Sequence, residues 1–353
     1  MNGAVTSEYR CWQFTANTPN TTRFGGTDSY QTGVAVAEAV WNNPADPMER
    51  PGVVILARGD GSCFQEALIA SSLIHFPRNG PVLLTEPDFL NPVVRSEIIR
   101  LCPSGKGSPA QVLTIGSLSP RIDEEVQRMG FTVCRINGGD PATTAVIIWN
   151  LLGPKCNVML VSEEQFGDAL PAGGWAAHMG DPILLTHGQQ LPGVTAQAIR
   201  ERQPDVYIIG GPGSISPRVE ETVRHLTRGF VDRIAGPDPA ATSVRFTRYQ
   251  SPTGTFGWNV NQKKGWSFRF SRIDSWQPAV SGNPLSHMGK HSPLLLVHPQ
   301  MVPSPVAEFI GAVNPLHREP EPPFMHGFII GNCLEVSCQV QIELDKRLET
   351  VKE

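Results

Sequence analysis

The stretch that decides the fold is RIAGPDPAAT at residues 233–242, because the chain contains it in three related forms. The second form is RINGGDPATT at residues 135–144, and the first is RFGGTDSYQT at residues 23–32. All three share an arginine, a following apolar residue, a glycine, an aspartate two residues after that glycine and a threonine four residues later. We call this pattern the ten-residue motif. Its copies begin 112 and 98 residues apart, which predicts a threefold internal repeat.

The repeat divides the chain of 353 residues into three modules. A chain of this length has room for two or three domains of about 100–200 residues each, and the repeat selects three. The predicted units are an N-terminal leader at residues 1–22 and repeat modules at residues 23–134, 135–232 and 233–353.

The composition is that of a soluble globular protein without affinity for nucleic acid. Hydrophobic residues make up 40% of the chain and charged residues 18%. No apolar run reaches the roughly 20 residues that a membrane-spanning helix needs. The net charge of −4 gives none of the basic excess that nucleic-acid binding requires.

The N-terminus and the cysteines favour a cytoplasmic location. Residues 1–20 lack the cationic start and apolar core of a secretory signal peptide. The seven cysteines are odd in number and are not spaced in register with the repeat, so we expect reduced thiols rather than a disulfide framework.

Short apolar runs alternate with helical patterns along each module. In the second module, Asn157–Val161, Pro182–Thr186 and Val206–Gly211 have the pattern of buried strands, and Phe166–Ala172 begins a helix between the first two. Buried strands alternating with helices predict an α/β fold with an open parallel sheet that is covered on both faces.

The third module carries an aromatic insertion at about residues 254–272. Its alternating Phe268-Arg269-Phe270-Ser271 predicts a β-hairpin or an extended arm with one apolar face. Candidates for an interaction surface that stacks sugars or docks a partner are Trp258, Trp266, Phe268 and Phe270. The alternative is core filling, because aromatic side chains bury large areas.

Three further patterns follow the ten-residue motif in each of the first two modules. They are a helix start Phe-x-Asp/Glu-Ala-Leu, a strand Pro-x-Leu-Leu-Thr and a glycine-ended strand leading to Ser-Pro. In this order the patterns resemble the cell wall binding repeat 2 family, and the resemblance covers nearly the whole chain after about residue 22. The resemblance implies three tandem Rossmann-like modules in a pseudo-threefold arrangement, no catalytic activity, a place at the bacterial cell surface and binding to an anionic secondary cell-wall polymer.

The polar residues of the ten-residue motif are candidates for polymer binding or for a module junction. The arginines are able to line an anion-binding surface, and the alternative is that each pairs with the aspartate of its own copy to fix the junction. The candidates are Arg23, Asp28, Thr32, Arg135, Asp140, Thr144, Arg233, Asp238 and Thr242.

No cofactor and no catalytic group is predicted. Glu66 and Asp168 stand at helix starts, where a carboxylate caps free N–H groups and complements the helix dipole. The loop Gly210–Ser214 follows a strand and precedes a helix, but it lacks the spaced glycines and the lysine of a nucleotide site. No serine–histidine–aspartate or cysteine–histidine set is recognisable from motif context.

No metal site and no redox pair is predicted either. His287, His291 and His298 lie near one another in sequence without a carboxylate or cysteine to complete a ligand set. Cys333 and Cys338 are spaced too widely for a CxxC pair, so we expect them to be buried thiols.

Two functions follow from these patterns. The first is a non-enzymatic protein that binds an anionic cell-wall polymer or anchors at the cell surface. The second is a self-assembling scaffold protein, a filament, ring or layer subunit that reuses the three-module fold without polymer binding. It is motivated by the residues after each motif aspartate: the family carries Arg-Tyr there, and this chain has Ser29-Tyr30, Pro141-Ala142 and Pro239-Ala240. The predicted partners are another copy of the chain or the polymer, with no nucleic acid and no membrane span.

Overall fold

The computed structural model describes residues 17–61, 63–315 and 324–349, which form three parallel sheets of four strands each, packed between helices. The strands are β1 (Thr21–Phe24), β2 (Val54–Arg58), β3 (Val82–Thr85), β4 (Val112–Ile115), β5 (Val133–Ile136), β6 (Asn157–Ser162), β7 (Ile183–Thr186), β8 (Asp205–Ile209), β9 (Val231–Ile234), β10 (Ser267–Arg272), β11 (Leu294–Val297) and β12 (His326–Ile330). The helices are α1 (Ser29–Val40), α2 (Phe64–Ala70), α3 (Pro92–Leu101), α4 (Pro120–Arg128), α5 (Pro141–Leu152), α6 (Phe166–Met179), α7 (Gly193–Arg202), α8 (Pro217–Leu226), α9 (Pro239–Arg248), α10 (Gln277–Ser281), α11 (Pro284–His287), α12 (Ser304–Val313) and α13 (Cys338–Arg347).

All three sheets have the same strand order. They run β3-β2-β4-β5, β7-β6-β8-β9 and β11-β10-β12-β1, and every neighbouring pair is parallel. In the first two sheets the chain enters at an inner strand, crosses to one edge and then builds the other side, which is the doubly wound order of Rossmann-like folds. The third sheet has the same order in space, but its edge strand β1 precedes the other three strands in the chain. The predicted α/β fold with three Rossmann-like modules is confirmed.

Continuous apolar runs explain why these segments are strands. Every residue of β3, β4, β6, β7 and β11 is buried, as expected where helices cover both faces of a parallel sheet. The prolines before β3, β7 and β11 each accept a backbone hydrogen bond from the neighbouring inner strand and have no N–H to satisfy.

The ten-residue motif begins inside an edge strand of a sheet rather than between sheets. β5 contains Arg135 and pairs with β4, while β9 contains Arg233 and pairs with β8. β1 contains Arg23 and pairs with β12, near the other end of the chain. The helix after each copy then packs on the next sheet: α5 contacts β7, α9 contacts β11 and α1 contacts β3. The division at residues 23, 135 and 233 into separate units remains a prediction.

Three equivalent helices meet at the centre of the molecule. α2, α6 and α10 contact one another in pairs, and each begins beside an aromatic residue, Phe64, Phe166 or Trp276. The rings of Phe64 and Phe166 lie 5.9 Å apart, edge to face. These axial helices, with the three identical sheet orders around them, give the molecule the pseudo-threefold arrangement that the sequence predicted.

The prediction of a hairpin in the aromatic insertion is wrong. Residues 267–272 form β10, an inner parallel strand between β11 and β12. Phe268 and Phe270 have no exposed surface, and Arg269 and Ser271 on the opposite face are also fully buried. Both faces of the strand are covered, so the alternation of apolar and polar residues does not mark an exposed side.

The four aromatic candidates therefore differ in what they contact. Phe268 and Phe270 belong to the core and are excluded as an interaction surface. Trp258 is half-buried and stacks on His178, with ring centroids 4.9 Å apart. Trp266 is half-buried too; its indole N–H donates to the carbonyl of Gln262. The two tryptophans keep part of their surface free.

Candidate functional site

The aspartate of each motif copy caps a helix. Asp28, Asp140 and Asp238 lie in extended conformation directly before α1, α5 and α9. Each carboxylate accepts a hydrogen bond of 2.8 Å from the backbone N–H three residues on. This satisfies one of the N–H groups that a helix start leaves free, and it explains why aspartate recurs at this position.

The threonine and the glycine of the motif are joined by a hydrogen bond in each copy. The hydroxyls of Thr32, Thr144 and Thr242 accept from the backbone N–H of the motif glycine at 3.0–3.2 Å. A side chain on these glycines would collide with the first turn of the helix: a Cβ built at Gly26 lies 2.2 Å from the Cβ of Gln31. The turn from strand to helix is therefore tight in all three copies, and it requires glycine.

We expect Thr144→Val to lower the free energy of unfolding by about 1–2 kcal/mol, because it removes the acceptor of the partly buried N–H of Gly138. Urea denaturation measures the change. The control is Thr222→Val, which removes an exposed hydroxyl from α8 and should cost less than about 0.5 kcal/mol. Equal costs for the two variants would argue against this role of the threonine.

The expected pairing between the arginine and the aspartate of the same copy is wrong. Arg135 donates to the carboxylate of Asp123 at 2.8 Å, and Arg233 donates to that of Glu220 at 2.7 Å. Arg23 donates to the side-chain oxygen of Gln341 at 2.9 Å. The partner is thus a residue of the helix that follows the neighbouring strand, because the aspartate carboxylate is already engaged at its own helix start.

Each motif arginine also binds the end of the adjacent strand. Arg23, Arg135 and Arg233 donate to the carbonyl oxygens of Gly331, Gly116 and Gly210, at 2.8, 3.4 and 2.8 Å. The Arg23 side chain is nearly inaccessible, at 2% exposure, and burial lowers its pKa. The three arginines tie each sheet's edge strand to its neighbour, which accounts for their recurrence without any ligand.

Arg233→Ala is expected to lower the free energy of unfolding by about 1–3 kcal/mol, since the substitution removes both a partly buried ion pair and the bond to the Gly210 carbonyl. Arg218→Ala on the exposed face of α8 is the matched control, with an expected change within about 0.5 kcal/mol. Denaturation curves of the two variants give the comparison. If Arg233→Ala loses no more stability than the control, the proposed role of Arg233 in tying the edge strand to its neighbour is contradicted.

The crevices at the carboxyl ends of the inner strands hold carboxylates. Glu66 accepts from the backbone N–H and the hydroxyl of Ser117, at 2.9 and 3.1 Å, and Asp168 accepts from the hydroxyls of Ser214 and Thr242. Neither carboxylate caps its own helix, so the predicted capping role is wrong. Burial raises the pKa of Glu66, and the bonds from Ser117 oppose this shift.

In the third module the crevice also holds a carboxylate, but a loop supplies it instead of a helix. Pro278 stands where the other two modules have the carboxylate, and Glu335 from the loop after β12 takes its place. Glu335 accepts from the backbone N–H of Asn332 at 2.9 Å, and burial raises the pKa of its carboxyl group. Each of the three crevices is therefore filled by an acidic side chain.

The loop Gly210–Ser214 is occupied by protein atoms. Asp168 approaches it from α6 and is hydrogen-bonded to Ser214, so a carboxylate lies where a nucleotide phosphate would have to bind. The backbone N–H groups of Ser214 and Ile215 both donate to the carbonyl of Gly211. The N–H groups of Ser214 and Ile215 are thus engaged within the protein, and the carboxylate of Asp168 would repel a phosphate at this loop.

Four histidines cluster near the C-terminal ends of the central helices. We call His75, His178, His287 and His291 the histidine cluster. The ring centroids of His75 and His287 lie 4.9 Å apart, and the Nδ1 atoms of His178 and His291 lie 3.2 Å apart. Burial lowers the pKa of His178 and of His287 to about 4, and the neighbouring imidazoles add to the shift.

The histidines named from the sequence are only partly brought together. His291 contacts His178, whereas His298 is exposed and its backbone N–H binds the carbonyl of Met301. In the described part of the chain, no group of three or more histidine, cysteine, aspartate or glutamate side chains is arranged to hold a metal ion.

The expectation of buried thiols at Cys333 and Cys338 is wrong. Both side chains are exposed, and their Sγ atoms lie 2.8 Å apart. Cys333 lies in the loop after β12, and Cys338 is the first residue of α13. The turn of this loop brings the sulfurs together across a sequence spacing that does not match a CxxC motif.

A groove that the sequence did not indicate crosses the end of α5, where the first two modules meet. It consists of two hollows of about 580 and 350 Å3 that share Lys155 in their walls. Arg202 lines the larger hollow, and Arg78 lines the smaller one. We call the two hollows and these three residues the cationic groove. Its cations come from non-equivalent positions of two modules, so no repeat or spacing connects them.

No helix among the described residues has the length and apolar character needed to cross a bilayer.

The fold and its repeated turn define a class of proteins, in which three Rossmann-like modules are joined around a pseudo-threefold axis. The model of the family Cell wall binding domain 2 (CWB2) matches residues 23–117 and 135–220. The two matches together cover half of the chain, and the chain belongs to this family. Membership supports a role in binding the cell wall.

Two relatives are similar over part of their sequences. An amidase enhancer from Bacillus subtilis (strain 168) is 30% identical over 223 residues, which are 62% of this chain and 28% of that protein. An uncharacterized protein from Pyrococcus horikoshii is 27% identical over 197 residues, 55% of this chain and 58% of that one.

Two solved structures share the fold. Cwp6 from Clostridium difficile aligns with a TM-score of 0.76 and 18% identity, covering 94% of this chain and 49% of that chain. Cwp8 from the same organism aligns with a TM-score of 0.74 and 17% identity, covering 95% and 53%. The chain spans about half the length of these proteins and 28% of the amidase enhancer.

Proposed function

We propose that this chain is a non-enzymatic binding protein that attaches to an anionic secondary cell-wall polymer. The observation that carries the proposal is the family match over two modules together with the same motif turn in the third. A polymer that contacts more than one module is held by linked sites, and linked sites raise the overall affinity without any new kind of contact.

The motif residues support the scaffold of this protein rather than its ligand surface. The arginines are bound to strand ends, and the aspartates and threonines are bound to backbone groups. Carboxylates fill the crevices at the strand ends, where they would repel an anionic polymer. We therefore place polymer contacts on surfaces away from the motif.

Sedimentation with isolated Gram-positive walls tests the proposal. The purified full chain should pellet with the walls at low salt and should be released by raised salt, because contacts between exposed charges are screened. Walls stripped of their secondary polymer are the control and should retain much less protein. Failure of the chain to pellet with untreated walls at low salt would refute polymer binding.

A second candidate function is self-assembly into a ring, layer or filament. One observation favours it: in the most divergent module, Leu334 in the loop before α13 exposes 84% of its surface and Ile342 on α13 exposes 51%. An apolar surface on one module of an asymmetric triad allows head-to-tail association. Light scattering over a wide concentration range is the test, and a chain that stays monomeric throughout argues decisively against assembly.

A further inference from the structure

We propose that the cationic groove binds the acidic saccharide segment of the wall polymer, an inference that rests on the proposed function and assigns it a site. The groove is open to solvent and runs across the junction of two modules, from the loop after α2 to the end of α7. A path of two connected hollows suits an extended chain better than a compact small molecule.

The charge of the groove favours an anionic ligand. Within the described residues, Arg78, Lys155 and Arg202 form no ion pair. They donate hydrogen bonds to the carbonyl oxygens of Leu151 and Met179 and to the amide oxygen of Asn150, respectively. Asp205 is the acidic side chain in the walls, and its carboxylate accepts from the backbone N–H of Phe230. Three cations against one engaged carboxylate leave a positive surface for polymer anions.

Two buried donors in the walls lack partners. Arg78 is 91% buried at 9% exposure, its Nε atom has no hydrogen-bond acceptor, and burial lowers the pKa of its guanidinium group. The indole nitrogen of Trp149, fully buried under the guanidinium of Arg202, also has no acceptor. A ligand oxygen in the smaller hollow would give the Nε atom of Arg78 the acceptor that it lacks.

The apolar part of the groove fits sugar rings. Phe76 and Leu151 line the smaller hollow and expose 60% and 44% of their surfaces, and Pro154 lines the larger one. Sugar rings carry C–H faces that pack on such side chains, while their acidic substituents reach the cations at the rim. The combination of apolar walls and unpaired cations fits an acidic polysaccharide better than a free inorganic anion.

The test compares two double variants of the full chain with equal loss of charge. Lys155→Gln/Arg202→Gln removes the half-buried Lys155 and the exposed Arg202 from the groove, and Arg121→Gln/Arg128→Gln removes two exposed cations of α4. Thermal unfolding of all proteins checks that each is folded. Retention on isolated walls is measured first, followed by binding of poly(glycerol phosphate) and of polyglucuronate, which present phosphate and carboxylate groups respectively.

We expect the groove variant to bind walls at least about tenfold more weakly than the wild type, and the α4 variant to stay within about twofold. The soluble probe whose binding falls in the groove variant identifies the anionic group of the polymer. Equal retention of both variants and the wild type overturns the groove while leaving the proposed function intact. A wild type that is not retained overturns the proposed function and the groove together.

The paired cysteines carry a second inference independently. We infer that Cys333 and Cys338 form an intramolecular disulfide when a small disulfide oxidant is present. Their sulfurs lie 2.8 Å apart on an exposed loop, already close to the bonded distance of about 2.05 Å. The thiolate of one cysteine attacks glutathione disulfide and releases one glutathione thiol, and the other cysteine then displaces the second. Two protein thiols are oxidised, and one glutathione disulfide is reduced to two thiols.

The bond would fix the loop that holds the first motif turn. Asn332, next to Cys333, donates from its side chain to the carbonyl of Gly26 at 2.9 Å. Cross-linking the loop to the start of α13 restricts the unfolded chain and keeps this contact in place. We expect a higher thermal midpoint for the oxidised chain than for the reduced one.

Mass spectrometry of the oxidised chain decides the matter. Cys333 and Cys338 are the only cysteines of the tryptic peptide of residues 319–346. When the disulfide forms, the mass of this peptide should fall by that of two hydrogen atoms. The control Cys156→Ser, which removes another exposed cysteine, should show the same loss. Cys338→Ser should instead carry glutathione on Cys333. A peptide that stays reduced, or that carries glutathione on both cysteines, overturns the disulfide.

Discussion

Replacing Phe24 by alanine is expected to lower the free energy of unfolding by about 3–5 kcal/mol, the usual cost of removing a buried aromatic side chain. Phe24 is 6% exposed, and its ring stacks on that of Phe328 with centroids 6.0 Å apart. It also packs with Val36, Leu285 and Ile330. The side chain thus anchors β1 to the sheet of the third module.

Hydrogen exchange shows whether this loss is local. The N–H groups of Gly327 and Gly331 donate to carbonyls of Asn20 and Phe24 and should exchange faster in Phe24→Ala. The equivalent N–H of Gly116, which donates to Ile136 in the first sheet, is an internal control and should change less. Uniform acceleration at all three glycines would show that the whole molecule, rather than β1, is destabilised.

Phe89→Ala provides the matched substitution. Its side chain is 54% exposed, so the same change in chemistry should cost less than about 1 kcal/mol. Equal denaturation midpoints for Phe24→Ala and Phe89→Ala would contradict the assignment of β1 as a packed strand.

The histidine cluster is expected to make the fold sensitive to acid. The pKa of His178 and of His287 lies at about 4 in the fold, against about 6.5 in an unfolded chain. Between pH 6.5 and pH 4 these two histidines are therefore protonated in the unfolded chain but mostly neutral in the folded one. Their contribution to stability is fully present above pH 6.5 and is lost as the pH falls toward 4. Allowing for partial exposure, we expect about 1–2 kcal/mol from each histidine.

A comparison of variants isolates this contribution, because other groups titrate in the same range. Burial raises the pKa of Asp181 to about 6. Protonation of this carboxylate therefore stabilises the fold as the pH falls through 6, which is opposite to the effect of the two histidines. We expect His178→Gln/His287→Gln to lose less stability than the wild type between pH 7 and pH 4.5, measured by urea denaturation. The exposed His298→Gln should follow the wild type. A double variant with the wild-type pH dependence would contradict this role of the cluster.

The strands and the helix starts after the motif were predictable because the signals for them are local in sequence. Runs such as Ile183–Thr186 are continuously apolar and have prolines and turns at their ends. The motif also marks a helix start, since the capping aspartate and its N–H partner are three residues apart. Such signals require no knowledge of distant residues.

Pairings between distant residues were not predictable. Arg23 finds Gln341 and Gly331 across almost the whole chain, and nothing in its neighbourhood indicates them. Arg135 and Arg233 have nearby aspartates of the same motif, yet they bind carboxylates of the preceding helix. The strand β10 was mistaken for an arm because burial on both faces depends on the helices above and below it.

The pairing of β1 with β12 has a consequence for synthesis of the chain. The first two sheets contain only strands that lie between residues 54 and 234, so they are able to form as the chain emerges. β1 emerges before all of them and must wait for β12, roughly 300 residues later, which at ribosomal speed is about 15–60 s. During this interval Arg23 lacks Gln341 and Gly331, and Phe24 lacks Phe328 and Ile330. β1 therefore stays unpaired from its own synthesis until β12 has been made, and this strand is where we expect chaperones to bind.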